Sequence, residues 1–161
     1  MTPETTSRTI VVGYDGSPSA RAAVEHAIDR AGPAGRLVLV HAYQVPADYI
    51  GAPYYSVMLE DAAQHASDVM ASLERDCERV LGVDHENDIS TGAAAPAIVR
   101  AAEFYRADEI VVGSRGVGRV RALLGSVAHD VLHRAKCPVT VIPERMVDAW
   151  TATPAEAAAA V

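Results

Sequence analysis

Four short runs of apolar, mostly β-branched residues recur along the chain and limit the kind of sheet it can build: "RTIVVG" at 8–13, "RLVLVHAY" at 36–43, "EIVVGS" at 109–114 and "PVTVIP" at 138–143. A run without polar alternation marks a strand covered on both faces, as in a parallel sheet. The segments between them repeat with the period of a helix instead. After the first run, Ala20, Ala23, Val24, Ala27 and Ala31 fall on one face. Ser17 is placed to cap that helix, Pro18 to open it, and Gly32 with Pro33 to end it. A longer pattern follows, with Ala66, Val69, Met70, Leu73, Cys77, Val80 and Leu81 on one stripe and Gly82 at its end. Two more helices are expected near 94–106 and 125–135, the last with Val127, Ala128, Val131, Leu132 and Ala135 as its buried stripe.

The polar stretch "DHENDIS" at 84–90, where only Ile89 is obviously inward, completes the alternation as an edge strand. The order β-α-β-α-β-α-β-α-β predicts an α/β fold: a Rossmann-like open sheet of five parallel strands, right-handed crossovers and helices on both faces.

A length of 161 residues, half of them apolar, suits one domain with its own core. We place that domain at 8–143, between a flexible N-terminus at 1–7 and an Ala-rich tail at 144–161 outside the core. A formal charge of −7 argues against nucleic acid and anionic membrane as partners. No apolar run reaches the roughly 20 residues that span a bilayer, and the first residues lack a secretory pattern, so a cytoplasmic protein is expected. Cys77 and Cys137, without CxxC spacing, read as core or near-core thiols. His129 and His133 stand four apart around Asp130 as in zinc helices, but no third ligand accompanies them and they fall on the polar face. Neither a Ser-His-Asp nor a Cys-His arrangement can be argued from the remaining histidines.

In an open parallel sheet, ligands bind beyond the carboxyl ends of the strands where the winding reverses. Two loops there have suitable chemistry, "GYDGS" after the first strand and "GSRGVGRVRALLGS" after the fourth. The second gathers Gly113, Gly116, Gly118 and Gly125 with Arg115, Arg119 and Arg121, and contains no carboxylate. Glycines let backbone N–H groups approach an oxygen closely, and a helix start at Gly125-Ser126 favours negative charge, so a phosphate is the expected anion. Neither the Walker spacing nor GxGxxG is present. Ser126 could cap its helix or donate to phosphate, Asp15 could hold its own turn or face a ligand, and each arginine could neutralise phosphate or face water.

"VVGYDGS", "VVGSRG", "LLGSVA" and "CPVTVIP" together resemble the universal stress protein family over about residues 8–143. The resemblance implies strand order 3-2-1-4-5 and, in nucleotide-binding members, the motif G-x2-G-x9-G-[ST]. Gly113, Gly116 and Gly125-Ser126 match it, with a spacer of eight residues, 117–124, in place of nine. It implies a site for ATP or another adenine nucleotide, with or without Mg2+. Gly13 would lie against the phosphates, Asp15 against the ribose or adenine edge, and the Ala42 backbone against adenine. The phosphate loop would supply Gly113, Ser114, Arg115, Gly116, Val117, Gly118, Gly125, Ser126 and Val127. It further implies a homodimer through the last strand at 139–142 and a stress-response or signalling role with an unknown partner. The short spacer leaves open a nucleotide-free interaction module. Slow ATP hydrolysis or self-phosphorylation through Asp15 or a loop arginine is the enzymatic alternative.

Overall fold

The computed structural model describes residues 7–45, 54–114 and 124–143. Five strands form one sheet: β1 (Thr9–Gly13), β2 (Arg36–Tyr43), β3 (Asp84–Thr91), β4 (Glu109–Gly113) and β5 (Val139–Ile142). Every pairing is parallel, as the sequence predicts, and the order is β3-β2-β1-β4-β5, as the family resemblance implies. Four α-helices join them, α1 (Pro18–Ala31), α2 (Tyr54–Asp76), α3 (Ala94–Phe104) and α4 (Ser126–Arg134), with a 3-10 turn at Glu78–Gly82.

The alternation of side chains along a strand divides the central runs between two cores. Ile10, Val12, Leu37, Leu39 and Val111 point to the face covered by α1 and α2, where Ala23, Val24, Met70 and Leu73 meet them. Val11, Val38, Val40, Ile110 and Val112 point to the other face and pack on Ala97, Ile98 and Ala101 of α3 and Ala128 and Val131 of α4. Both faces of β1, β2 and β4 are therefore dry, which is why these runs carry no polar alternation.

α1 begins as its sequence dictates: the Ser17 hydroxyl accepts from the Ala20 amide at 3.2 Å, and Pro18 occupies the first turn. At its other end Gly32 adopts φ +70°, a left-handed conformation that suits glycine, and its N–H closes on Ile28 O at 3.1 Å. Four expectations about burial need correction. Leu81 is 60% exposed, because α2 stops at Asp76 and the 3-10 turn that follows rotates away from the helical stripe. Ile89 is 39% exposed, since β3 lies at the sheet edge beyond the cover of a full helix layer. Val127 and Leu132 are likewise exposed: α4 is only nine residues long and buries the narrow line of Ala128 and Val131. Cys77 is buried, but it lies past the end of α2 at the start of the 3-10 turn; Cys137 is half-buried.

Candidate functional site

The winding reverses between β1 and β4, whose carboxyl ends diverge after the pair Val12 and Val111. A cavity of about 550 Å3 opens there, within the size range of small-molecule sites. All eight described residues of the sequence-based site line it: Gly13, Asp15, Ala42, Gly113, Ser114, Gly125, Ser126 and Val127. Arg115, Gly116, Val117 and Gly118, with Arg119 and Arg121, lie outside the described residues.

On the β4 side, Gly113 is required by packing irrespective of any ligand. A Cβ there would stand 2.6 Å from Ser19 Oγ, 2.9 Å from Ser19 C and 3.0 Å from Ala20 N, so the glycine is what lets the first turn of α1 approach the strand. Gly13 has a milder reason, since its Cβ would meet the flexible end of Ile98 at 2.6 Å. Ser114 is buried; its N–H donates to Ile142 O at 2.7 Å and its carbonyl accepts from Gly125 N at 2.7 Å, which ties the start of α4 to the end of β4. Gly125 is the N-cap of α4, and with no side-chain cap there the first-turn amides are left to other acceptors. Ser126 is already the first helical residue, so the capping role open to it in sequence falls to Gly125 instead.

On the β1 side, Asp15 Oδ1 accepts from the Ser17 N–H at 3.0 Å, so the carboxylate does hold its own turn. Gly16, at φ +79°, allows the chain to reverse there. The contribution of Ala42 follows from strand register. The Tyr14 N–H donates to Val40 O at 2.9 Å, so the polar groups of Val40 face β1, while Tyr43 O accepts from Gly92 N at 2.8 Å on the β3 side. Along a strand these directions alternate, so Ala42, two residues beyond Val40, presents its N–H and C=O toward β1. The pairing of β1 with β2 has ended by then, at Gly13 and Val40, and Ala42 edges the cavity.

Several lining residues escaped sequence reasoning. Val40, Ile98, Val112 and Leu124 supply apolar wall; their core-like character in sequence gave no sign of a second duty. His129 and Asp130 also line the cavity, in the first turns of α4. Reading them as a plain solvated face missed that this end of the helix borders the crevice. The rings of His129 and His133 lie edge to face at 4.5 Å between centroids. Among the described residues no cluster of three or more His, Cys, Asp or Glu is placed to hold a metal ion, and no helix is long and apolar enough to cross a membrane. For Mg2+, the cavity offers the carboxylates of Asp15 and Asp130.

The model of the universal stress protein family matches residues 6–143. A universal stress protein of Thermus aquaticus is 38% identical over 138 residues, covering 84% of this chain and 98% of that protein. Among solved structures, the UspA universal stress protein of Lactobacillus plantarum superimposes with a TM-score of 0.70 at 27% identity, covering 84% of this chain and 97% of the other. A universal stress protein in complex with cAMP does so with a TM-score of 0.62 at 29% identity, covering 84% and 96%.

Proposed function

This chain belongs to the universal stress protein family, and from that premise we propose that it is a stress-response or signalling protein that binds an adenine nucleotide in the crevice between β1 and β4. The observation that carries this reading is the convergence on one cavity of a backbone donor and acceptor at Ala42, the Asp15 carboxylate and the uncapped start of α4. The cAMP complex of a relative supports the same ligand class.

Each part of a nucleotide has a chemical counterpart. Adenine presents an acceptor at N1 beside a donor at its 6-amino group, which matches the N–H and C=O of Ala42. Guanine presents a donor at N1 and an acceptor at O6, which would set donor against donor and acceptor against acceptor. The ribose hydroxyls find an acceptor in Asp15. Phosphate oxygens find the first-turn amides of α4, where the helix dipole favours negative charge, and the Ser126 hydroxyl. Gly13 and Gly113 line the same cavity. Gly116 and Gly118 with Arg115 and Val117 would complete the phosphate loop. Mg2+, where it accompanies a triphosphate, would be held by the phosphates with help from Asp15 or Asp130. In this reading occupancy changes partners or shape, and turnover is at most slow.

The same proposal includes a homodimer through β5. The carbonyls of Pro138 and Ile142 accept from Ile110 on β4 and from Ser114 just past its end, so by alternation the N–H groups of Val139 and Val141 face the open edge of the sheet.

The test is thermal-shift titration with ATP, AMP and cAMP, with and without Mg2+, on the wild type and on Gly125→Asp. Gly125 has φ −70° and ψ 157°, a conformation open to aspartate, which caps helices well but puts a carboxylate where phosphate would lie. Saturable stabilisation of the wild type, absent in a variant that is itself as stable or more so, is the expected result. No shift with any adenine nucleotide, together with no binding in a direct assay, would leave the interaction-module reading in its place.

A further inference from the structure

β2 is apolar and buried from Leu37 to Val40, yet its next residue is a histidine that is only 9% exposed. A buried imidazole in such a strand calls for a hydrogen-bond partner. His41 Nδ1 lies 2.8 Å from the carbonyl oxygen of Tyr14. A carbonyl can only accept, so Nδ1 carries the proton and donates.

That carbonyl is the one the sheet would otherwise use. In a parallel ladder, a residue whose N–H donates to one partner residue accepts at its C=O from the N–H two residues further along the partner strand. The Tyr14 N–H donates to Val40 O at 2.9 Å, so the next rung would run from the Ala42 N–H to Tyr14 O. The ladder instead stops at Gly13 and Val40, and the Tyr14 oxygen is taken by the ring of His41. Resting on the nucleotide reading above, we infer that His41 is a positioning residue whose imidazole occupies the Tyr14 carbonyl, keeps the strand from closing by one more rung, and so leaves the Ala42 N–H open to the base of the ligand.

The same bond orients the loop that follows. The peptide joining Tyr14 to Asp15 is planar, so holding its carbonyl also sets the direction of the Asp15 N–H, one residue before the flexible Gly16. His41 also lines the cavity, and through this bond it acts on the Ala42 edge and on the direction of the Asp15 N–H.

The experiment compares the full-length wild type with His41→Ala and His41→Asn by two readouts: amide exchange at Ala42 in the free protein, and affinity for AMP. Removing the ring frees the Tyr14 carbonyl to accept from Ala42. The Ala42 amide should then exchange about fivefold more slowly or less, as one added hydrogen bond implies, while AMP binding weakens. A change that merely loosened the structure would make that amide exchange faster. The side-chain amide nitrogen that His41→Asn supplies stands near the Nδ1 position, so this variant should restore both readouts toward wild type. Exchange at Ala42 that is unchanged or faster in His41→Ala overturns the inference, whether or not nucleotide binds. Failure of His41→Asn to improve on His41→Ala in either readout overturns it as well. Slower exchange at Ala42 with no AMP binding by the wild type upholds the backbone device and overturns the nucleotide reading alone.

Discussion

At the residue scale, Tyr14 is held at both ends of its backbone, by Val40 and His41, and is 3% exposed. Its hydroxyl is the buried side-chain oxygen left without a partner among the described residues. An unmet buried hydroxyl costs stability, so Tyr14→Phe should raise the unfolding free energy by about 1 kcal/mol in denaturant titration, and an equal loss would show that the hydroxyl is satisfied. Arg106 carries a similar small strain. It closes α3 at φ +51°, with Ala107 N donating to Ala102 O at 2.8 Å in the manner of a left-handed cap. Arg106→Gly should stabilise by roughly 1 kcal/mol, because glycine enters that conformation without steric cost. Neither position announces itself in sequence, since each depends on where a distant backbone group ends up. Asp15 did, because Asp-Gly-Ser before a proline is turn chemistry wherever it occurs. What sequence could not separate was its turn role from its ligand role, and the Ser17 bond shows that the turn role is real.

At the scale of elements, the termini of α1 at Ser17 and Gly32 and the start of α4 at Gly125-Ser126 were legible, whereas the end of α2 at Asp76, short of Gly82, was not. Apolar periodicity marked α1, α2 and α4 but overstated burial at their margins: Leu81, Val127 and Leu132 are exposed. The start of α1 must approach the end of β4, so Gly113→Ala should cost about 2 kcal/mol or more, as overpacking against backbone does. β4, β5 and α1 are also joined by Glu109, whose carboxylate accepts from Thr140 Oγ1 at 2.5 Å and from Arg30 Nε at 3.1 Å. Burial, the largest single influence, pushes its pKa up, but the Thr140 and Arg30 bonds and the positive charge nearby outweigh it and hold the carboxyl below its ordinary range. A carboxyl with a lowered folded pKa adds stability above its unfolded value, about 4.3, and that contribution is lost as pH falls through the folded value. The stability advantage of wild type over Glu109→Gln should therefore be largest near neutral pH and shrink below about pH 4; an advantage independent of pH would mean that the charge contributes nothing.

At the scale of the molecule, the parallel sheet was legible in the sequence because the doubly buried runs of β1, β2 and β4 need cover on both faces, whereas the strand order came from the family resemblance. The proposed homodimer depends on one strand edge. Val141→Pro removes an outward N–H and no bond to β4, so light scattering should find a dimer for wild type and a folded monomer for this variant; a dimer that survives the substitution would place the interface elsewhere. In the proposed function the crevice at the switch point, rather than any single residue, would define the ligand, and the backbone edge of Ala42 makes the choice of base testable. Calorimetric titration of the full-length protein with AMP and with GMP addresses that most directly. Saturable binding of AMP with GMP weaker by about tenfold or more, the difference a mismatched pair of hydrogen bonds implies, is the expected result. Equal affinity for the two, or saturable binding of neither, would contradict an adenine-nucleotide site.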